Sequence, residues 1–396
     1  MDEMKLTRLR AALIAVTSVV AASVVLTALP ASAITDNEGY DFSWPQCAGP
    51  TSSHITNLPA PGATNVIGVD GGKIFAKNNC LVDLLKWAKS KPIQLYANTG
   101  NPGPTLYSRS GRVASQISGW PIPSRDRNAA NRPKPCTNAA PDSVNCAYDY
   151  GYKGAKASYA HAVAAFRAAG IGYAPNAVNW WLDLESANTW RGHDAEYPEP
   201  RRTGLRQANL DVRNRASMLG AHDYLVNVAH VKQLGFYSSP NEWAMIMNTT
   251  TLFANSPYWF PIGGATSADA LAACSDTRNV TGSGLPVMVQ YQVAGVDINQ
   301  QCFPPTSVTS SGGTSVAVRS PLRLTATVTG GNAQPLYGVR VYFVLNAKTY
   351  SAVTNALGVA SVRVVSPSVI GSYPLTATLF TNSYTGSSTT SAVDVH

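Results

Sequence analysis

The hydrophobic pattern of this chain changes near residue 303, and this change limits the possible folds more than any other feature. From residue 38 to 302, short apolar runs alternate with helix-length stretches, as expected where strands are interleaved with helices. After residue 314, apolar and polar residues alternate one by one in short segments that Gly330-Gly331 and Gly358 separate. The sequence therefore predicts two domains of different class.

The first domain, residues 34–303, is predicted to have an α/β fold. Its alternating segments fit a single (β/α) TIM-like barrel that is irregular in its last strands, with an active site at the carboxyl ends of the strands. The predicted strands are Tyr40–Phe42, Asn65–Val69, Ile93–Ala97, Val178–Leu184, Leu234–Tyr237, Tyr258–Ile262 and Pro286–Gln292, and the predicted helices are Leu81–Ser90, Gly154–Ala169 and Leu205–Leu219. A long loop is predicted over residues 101–151, which are rich in Pro, Gly, Asn and Arg.

The second domain, residues 315–396, is predicted to be a small all-β sandwich. Residues 304–314, rich in Ser, Thr, Gly and Pro, are predicted to form a linker before it. The segments Thr354–Ala360 and Gly371–Ala377 together resemble the bacterial immunoglobulin-like modules of surface proteins. That resemblance implies an immunoglobulin-like fold and a role as a spacer or adhesive unit.

The first 33 residues have the composition of a secretory signal peptide. Three basic residues among the first ten precede a largely apolar run over residues 11–29, and Ala31-Ser32-Ala33 forms an Ala-x-Ala cleavage site. An uncleaved membrane anchor stays open as the alternative, because the run is nearly long enough to span a bilayer. Cleavage predicts a secreted monomer, in solution or associated with the cell wall, with no membrane partner.

All six cysteines follow the predicted cleavage site, and an even number of cysteines in a secreted chain indicates disulfides. Six cysteines can pair in more ways than a sequence resolves. We favour the pairs Cys47–Cys80, Cys136–Cys146 and Cys274–Cys302.

Several classes of chemistry find no support in the sequence. No pair of cysteines has CxxC spacing and no histidine cluster stands near them, so neither a metal site nor another cofactor is predicted. A nucleophile elbow, a zinc-binding helix motif and a phosphate-binding loop are also missing. The formal net charge of +8 comes without a nucleic-acid-binding module, so nucleic acid is not an expected partner. The basic stretches are interpreted first as solvated faces, and the functional alternative is attraction to an anionic cell wall.

The segment Asp183-Leu184-Glu185 stands at the end of a predicted strand. Side chains alternate along a strand, so these two carboxylates project from the same face, roughly 7 Å apart along the strand. In a partly dry site they repel each other, so one keeps a proton while the other is an anion. Such a pair suits the cleavage of a glycosidic bond. The alternative is an acidic strand end that faces solvent or caps the next helix.

Four segments of the first domain carry further motifs, namely Gly39–Gln46, Asp183–Glu185, Gly235–Trp243 and Gln290–Asn299. In this order they resemble the family 25 glycoside hydrolases, the Chalaropsis-type lysozymes that cut peptidoglycan. The resemblance covers roughly residues 38 to 302. The distance between the first two motifs is larger than is usual in the family, and the stretch after the last Gln-Tyr is shorter.

The resemblance implies a role for each matched residue in peptidoglycan cleavage with retention of configuration. Glu185 is expected to be the general acid, and Asp183 to orient and stabilise the acetamido group of the sugar. Asp41 and Asp297 are expected to polarise the site and tune the proton affinity of Glu185. The expected substrate-binding residues are Trp44, Tyr237, Trp243, Gln290 and Tyr291, with core packing as the alternative for the tryptophans.

The leading hypothesis is therefore a secreted lysozyme-type glycosidase whose partner is cell-wall glycan. Two alternatives from other classes stay open: a catalytically silent barrel that binds wall or surface glycan, and an adhesive surface protein in which the sandwich is the functional part. The clustered carboxylates favour the enzyme, because a binding module has no need for them.

Overall fold

The computed structural model describes residues 37–103, 136, 142–190, 207–248, 252–254, 256–263, 266–276, 280–281, 285–303, 306–310, 314–330, 335–355, 357–379 and 386–396. The predicted signal peptide, residues 1–33, lies outside the described residues. Among the helices of the described residues, none is long and apolar enough to cross a membrane.

Eight strands of the first domain close into a barrel. Neighbouring strands from β1 to β7 are parallel, and β8 is antiparallel to both β7 and β1. The strands are β1 (Glu38–Phe42), β2 (Asn65–Gly68), β3 (Ile93–Asn98), β4 (Asn179–Asp183), β5 (Gln233–Tyr237), β6 (Tyr258–Pro261), β7 (Met288–Val293) and β8 (Val296–Gln301). Each of the seven predicted strands is present, with its ends shifted by at most two residues.

The prediction of an α/β fold with a (β/α) TIM-like barrel is nevertheless wrong. In that fold all eight strands are parallel and each is followed by a helix. Here the described residues form a closed β-barrel whose last strand reverses direction, and no α-helix separates β1 from β2 or β7 from β8. Ala294 and Gly295 join β7 to β8 with φ of 50° and 80°, the positive values that a two-residue type I′ hairpin needs. So tight a turn excludes a crossover helix, and β8 must run antiparallel.

The described helices flank part of this barrel. They are α1 (Leu81–Ala88), α2 (Val144–Ala169), α3 (Gln207–Asp223), α4 (Pro240–Met247) and α5 (Ser267–Ala273). The end predicted for α2 is confirmed, because Gly170 follows it in the left-handed conformation with φ of 69°. The helices α4 and α5 are short and were not predicted.

Helix α2 begins ten residues earlier than predicted, so the prediction of a loop is wrong for Val144–Gly151. Ser143 caps the helix, and its side chain accepts a hydrogen bond from the backbone N–H of Cys146 at 3.2 Å. The glycine that favoured a loop allows close helix packing instead: a Cβ on Gly151 would lie 1.8 Å from the carbonyl oxygen of Ser217 on α3. The three favoured disulfides are confirmed, namely Cys47–Cys80, Cys136–Cys146 and Cys274–Cys302.

The barrel interior is built in rows of register partners across β3, β4 and β5. Gln94, Asn179 and Gln233 form the row at the amino ends of these strands. In the middle row, Trp181 fills space that Gly235 leaves open, because a Cβ on Gly235 would lie 2.4 Å from its ring. The row at the carboxyl ends consists of Asn98, Asp183 and Tyr237. The packed middle row thus separates a polar base from a polar rim.

Two sheets form the second domain, an immunoglobulin-like sandwich. One sheet has the strand order β10-β16-β15-β12-β13, and the other has the order β14-β11-β9. Their apolar residues alternate as predicted and are buried between the sheets. The strands are β9 (Thr306–Ser310), β10 (Thr314–Val316), β11 (Pro321–Gly330), β12 (Arg340–Leu345), β13 (Lys348–Val353), β14 (Val359–Val365), β15 (Gly371–Leu379) and β16 (Ser387–Val395).

The predicted linker over residues 304–314 is wrong where β9 lies. Thr306–Ser310 pairs antiparallel with β11, and its central residue, Val308, is buried in the sandwich. A single inward apolar residue flanked by Ser and Thr suffices for an edge strand, although the composition resembles that of a flexible segment.

The sandwich contacts the barrel at the end opposite the polar rim. Tyr337 stacks on His222 with ring centroids 5.5 Å apart, and its hydroxyl lies 2.6 Å from His222 Nε2. His222 Nδ1 lies 3.1 Å from the carboxylate of Asp223, so the imidazole is hydrogen-bonded on both sides, to Asp223 and to Tyr337. The contact is made at the carboxyl end of α3, before β5 begins, and therefore far from the carboxyl ends of the strands.

Candidate active site

A cleft of about 380 Å³ opens at the rim where β1 to β7 end. Because β8 is antiparallel, its first residues reach the same rim, and Asp297 lies opposite Gln292 at the end of β7. The cleft therefore brings together all four predicted catalytic carboxylates. Its lining residues are Asp41, Ser43, Trp44, Pro45, Gly72, Tyr96, Asn98, Asp183, Glu185, Ala187, Asn188, Tyr237, Trp259, Gln290 and Asp297. None of these described residues is basic.

Asp183 is buried as the last residue of β4, and amide donors hold one of its oxygens. The side-chain amide of Asn98 donates to Oδ2, and the Asn188 amide lies 3.4 Å from the same atom. The other oxygen, Oδ1, is buried without a hydrogen-bond partner among the described residues. Burial, followed by the charge of Glu185, raises the pKa of Asp183 well above its usual range.

Glu185 follows two residues later, where the chain has left the strand. Burial raises the pKa of Glu185 to about 7, with a further contribution from the charge of Glu242. Glu242 lies in the first turn of α4 and accepts hydrogen bonds from the backbone N–H and the hydroxyl of Ser186, both at 2.8 Å. These bonds fix the backbone next to Glu185, so Glu242 both positions the residue and favours its protonated form.

Asp41 on β1 is held by a chain of side-chain hydrogen bonds across the cleft. Gln290 Nε2 donates to Asp41 Oδ2 at 2.8 Å, and the Tyr237 hydroxyl donates to Gln290 Oε1 at 2.6 Å. Burial and then the charges of Asp297 and Glu185 raise the pKa of Asp41 well above its usual range. The pKa of Asp297 is also raised by burial, although Gln292 donates to it at 3.0 Å. Four carboxyl groups thus share a site that favours their neutral forms.

Behind the cleft, Asp70 fixes the end of β3. It is buried and accepts hydrogen bonds from the backbone N–H of Asn98 at 3.0 Å and from the Ser158 hydroxyl at 2.9 Å. Burial raises the pKa of Asp70 to about 8, so it is protonated near neutral pH. Because Asn98 donates to Asp183, Asp70 positions the row at the carboxyl ends of the strands without lining the cleft.

Aromatic residues form the floor and one wall of the cleft. Trp259 packs against Tyr237 with ring centroids 4.3 Å apart, and its indole Nε1 is buried without a partner among the described residues. Trp44, by contrast, is 47% exposed at the cleft mouth. The indole ring packs directly on Gly72, since a Cβ on Gly72 would lie 2.5 Å from Trp44 Nε1. The exposed indole thus offers a flat apolar face at the mouth of an acidic cleft.

Two of the predicted substrate-binding residues do not line the cleft. Trp243 is buried against Phe236 and Phe253, with ring centroids 5.5 and 6.3 Å away. The hydroxyl of Tyr291, also buried, donates to Glu38 at 2.7 Å. Tyr291 neighbours Gln290 on the same strand, and neighbouring strand residues point to opposite faces. Both residues therefore pack in the core.

Sequence reasoning missed other residues that shape the site, above all Asn98, Trp259 and Glu242. Asn98 could have been found, because it is a polar residue directly after the predicted strand Ile93–Ala97, and strand ends carry the functional residues in barrels. Trp259 stands within the aromatic run Tyr258–Phe260, which reads as core packing. Glu242 resembles an ordinary residue of a helix first turn. Among the described residues, no cluster of His, Cys, Asp and Glu has an arrangement that could hold a metal ion.

No family model matches the chain, and no curated protein matches it. Some solved structures resemble part of it. One is the CARDB domain of the PF1109 protein of Pyrococcus furiosus in complex with di-metal ions, at 17% identity and a TM-score of 0.18, over 24% of this chain and 90% of that one. Another is a bacterial immunoglobulin-like domain of the M. primoryensis ice-binding adhesin, at 19% identity and a TM-score of 0.18, over 24% of this chain and 97% of that one. Similarities at this level support no argument about function.

Proposed function

We propose that the barrel cleft hydrolyses glycosidic bonds of N-acetylhexosamine residues in bacterial cell-wall peptidoglycan, with Glu185 as the general acid. The chain would act as a secreted monomer, consistent with its three disulfides and its predicted signal peptide. The order of its motifs, which resembles that of the family 25 glycoside hydrolases, supports the choice of substrate.

The observation that carries this proposal is the carboxyl group of Glu185, whose pKa is raised to about 7 in an open cleft next to a second carboxyl group. A general acid must hold its proton at working pH and release it to the leaving oxygen, so its pKa should lie near that pH. An ordinary exposed glutamate would have lost its proton several pH units lower.

The buried polar atoms around Asp183 fit an acetamido group. Such a group offers one N–H donor and one carbonyl acceptor, and the cleft residues carry a partnerless acceptor, Asp183 Oδ1, and a partnerless donor, Trp259 Nε1. A hydrogen bond from the substrate N–H to Asp183 would stabilise its charged form. The negative charge of the pair would then rest on Asp183, and the proton would remain on Glu185, where the leaving oxygen needs it.

The proposal is tested by adding the full secreted chain to purified walls from several bacteria and measuring turbidity and new reducing ends. Glu185→Gln keeps the shape of the side chain but removes the acidic proton, so turnover should fall by about 10²–10⁴. Asp83→Asn, an acid on α1 that pairs with His54 and Lys86 on the surface, is the matched control and should keep full activity.

Full turnover in folded Glu185→Gln would overturn the proposal, and two further outcomes bear on it. If the wild-type chain binds walls but releases no reducing ends from any of them, the barrel is a silent glycan-binding module. If Glu185→Gln loses its native near-ultraviolet circular dichroism, the Asp-x-Glu pair holds the fold together. In that case the activity of Asp183→Asn, measured on folded protein, decides between a structural and a catalytic role.

A further inference from the structure

The sandwich has an unusual balance of charge. Its residues 315–396 include five basic residues and one acidic residue, Asp394. In the described part of the sandwich, no basic side chain forms a salt bridge. The basic residues are Arg319, Arg323, Arg340, Lys348 and Arg363.

Two of these arginines lie directly opposite each other. Arg323 on β11 and Arg363 on β14 are register partners in the three-stranded sheet, and both side chains are exposed. Directly opposed residues of an antiparallel pair have Cβ atoms about 5 Å apart, so two positive charges there destabilise the sheet. Arg323 Nε donates to the Ser361 hydroxyl at 2.6 Å, which orients the guanidinium but does not neutralise it. An anion bound between the two guanidinium groups would remove the repulsion.

A cleft of about 240 Å³ continues this surface at the end of the sandwich away from the barrel. Val365, two residues after Arg363 on the same face of β14, lines it, so the cleft begins roughly 7 Å from the arginine pair. Arg319 and Lys348 bring two further positive charges to it. The remaining lining is mostly polar or aromatic and includes Asn346, Tyr350, Ser366 and Ser368.

We propose that Arg319, Arg323, Lys348 and Arg363, hereafter the basic strip, bind an anionic glycopolymer through repeated phosphate or carboxylate groups. The arginine pair would hold one anionic group and the cleft the next, while the hydroxyl and amide groups of the cleft bind sugar or polyol hydroxyls. A nucleic acid fits less well, because single strands are held by several aromatic platforms and this cleft offers one ring, Tyr350. The site is independent of hydrolysis in the barrel and would keep the chain on an anionic wall.

The test measures binding of the full chain by titration calorimetry at low and high salt. The probes are a poly(glycerol phosphate), a polygalacturonate, a neutral dextran and a single-stranded oligodeoxynucleotide. The double variant Arg323→Gln/Arg363→Gln should bind both anionic glycopolymers about tenfold more weakly or worse, because each lost charged hydrogen bond is worth that much. Its melting temperature should not fall, since a like-charge contact has gone.

The matched control removes the same charge elsewhere. Arg340 lies on the other sheet and Lys89 after α1 in the barrel, so Arg340→Gln/Lys89→Gln should bind as the wild type does. Should the first double variant misfold, Arg319→Gln/Lys348→Gln tests the other half of the strip. Unchanged binding in the folded strip variant, an equal loss in the control, or tighter binding of the oligonucleotide than of either glycopolymer would overturn the proposal.

Discussion

The two domains treat charge in opposite ways. The barrel holds acids such as Asp41, Asp70 and Asp183 near one rim, and partial or full removal from water raises the pKa of each. The sandwich keeps its core apolar, and its buried polar residues, Thr354 and Ser366, are uncharged. Buried carboxyl groups with raised pKa values reduce stability at neutral pH, because unfolding lets them ionise. The acids at the rim therefore lower the stability of the barrel at neutral pH, whereas the sandwich presents its charges to the surroundings.

Substitution of one acid in each domain gives the largest expected contrast. Asp183→Asn removes a carboxyl group that contacts the proposed substrate, and turnover on walls should fall by about 10²-fold or more. Asp394→Asn on the exposed face of β16 should leave turnover unchanged. Initial rates of reducing-end release measure both. An equal loss in the two variants would show that charge on the whole molecule, and not the cleft, controls the rate.

The pH dependence of stability should also differ between the domains. The pKa of Asp70 is about 8 in the folded chain and about 3.9 in an unfolded one, so between these values the folded state holds a proton that the unfolded state has lost. The contribution of protonated Asp70 to the stability of the fold is complete below about pH 4 and disappears as the pH rises through 8. Asp70→Asn should therefore be more stable than the wild type at pH 9, by up to a few kcal/mol, and little different at pH 4.

Urea denaturation at several pH values, followed by tryptophan fluorescence, measures this effect, because most tryptophans lie in the barrel. Asp394→Asn serves as the control, since its carboxyl group is exposed. A parallel loss of stability with pH in the wild type and in Asp70→Asn would mean that Asp70 is ionised in the folded chain.

The positions of the barrel strands could be predicted from the sequence more accurately than the way in which the strands close into a barrel. Segments such as Asn65–Val69 and Ile93–Ala97 are apolar runs whose burial decides their structure locally. The direction of β8 depends on the turn at Ala294-Gly295, and Ala-Gly is a weaker hairpin signal than Asn-Gly. The motif match included Ala294-Gly295 but did not identify it as a tight turn. That one turn makes β8 antiparallel and so distinguishes the observed barrel from the predicted (β/α) barrel.

In the site too, features that depend on local sequence could be predicted, and features that depend on long-range packing could not. The Asp-x-Glu pair could be found because two acids two residues apart directly follow an apolar run, although Glu185 itself lies just beyond the end of β4. Asn98 and Trp259 reach the cleft from other strands, and Glu242 on α4 acts on Glu185 from outside the cleft lining. Such contacts depend on packing across the barrel that periodicity does not report. In the motif Gln290-Tyr291, alternation assigns only one of the two neighbours to the interior, and the structure places Gln290 there.

A smaller effect is expected where the domains meet. Tyr337→Ala removes the ring that stacks on His222 and its hydrogen bond, a loss of about 1–3 kcal/mol in coupling between barrel and sandwich. Calorimetry should then resolve two unfolding transitions, while activity stays constant because the cleft lies at the other end of the barrel. Tyr373→Ala, whose hydroxyl bonds Val369 within the sandwich, should lower the sandwich transition without separating the two. One transition in Tyr337→Ala would show that other contacts couple the domains.

The smallest expected effect tests whether Trp44 contributes to binding at the mouth of the cleft. Gly72 has φ of 79°, so Gly72→Ala adds backbone strain of about 1 kcal/mol and also pushes the Trp44 ring away. Gly170 has φ of 69° and nothing within 4 Å of an added Cβ, so Gly170→Ala carries the strain without moving a neighbour. Both variants should lose similar stability, but Gly72→Ala alone should raise KM for wall fragments, by a few-fold, with kcat nearly constant. Equal KM values in the two variants would show that Trp44 does not contact the substrate.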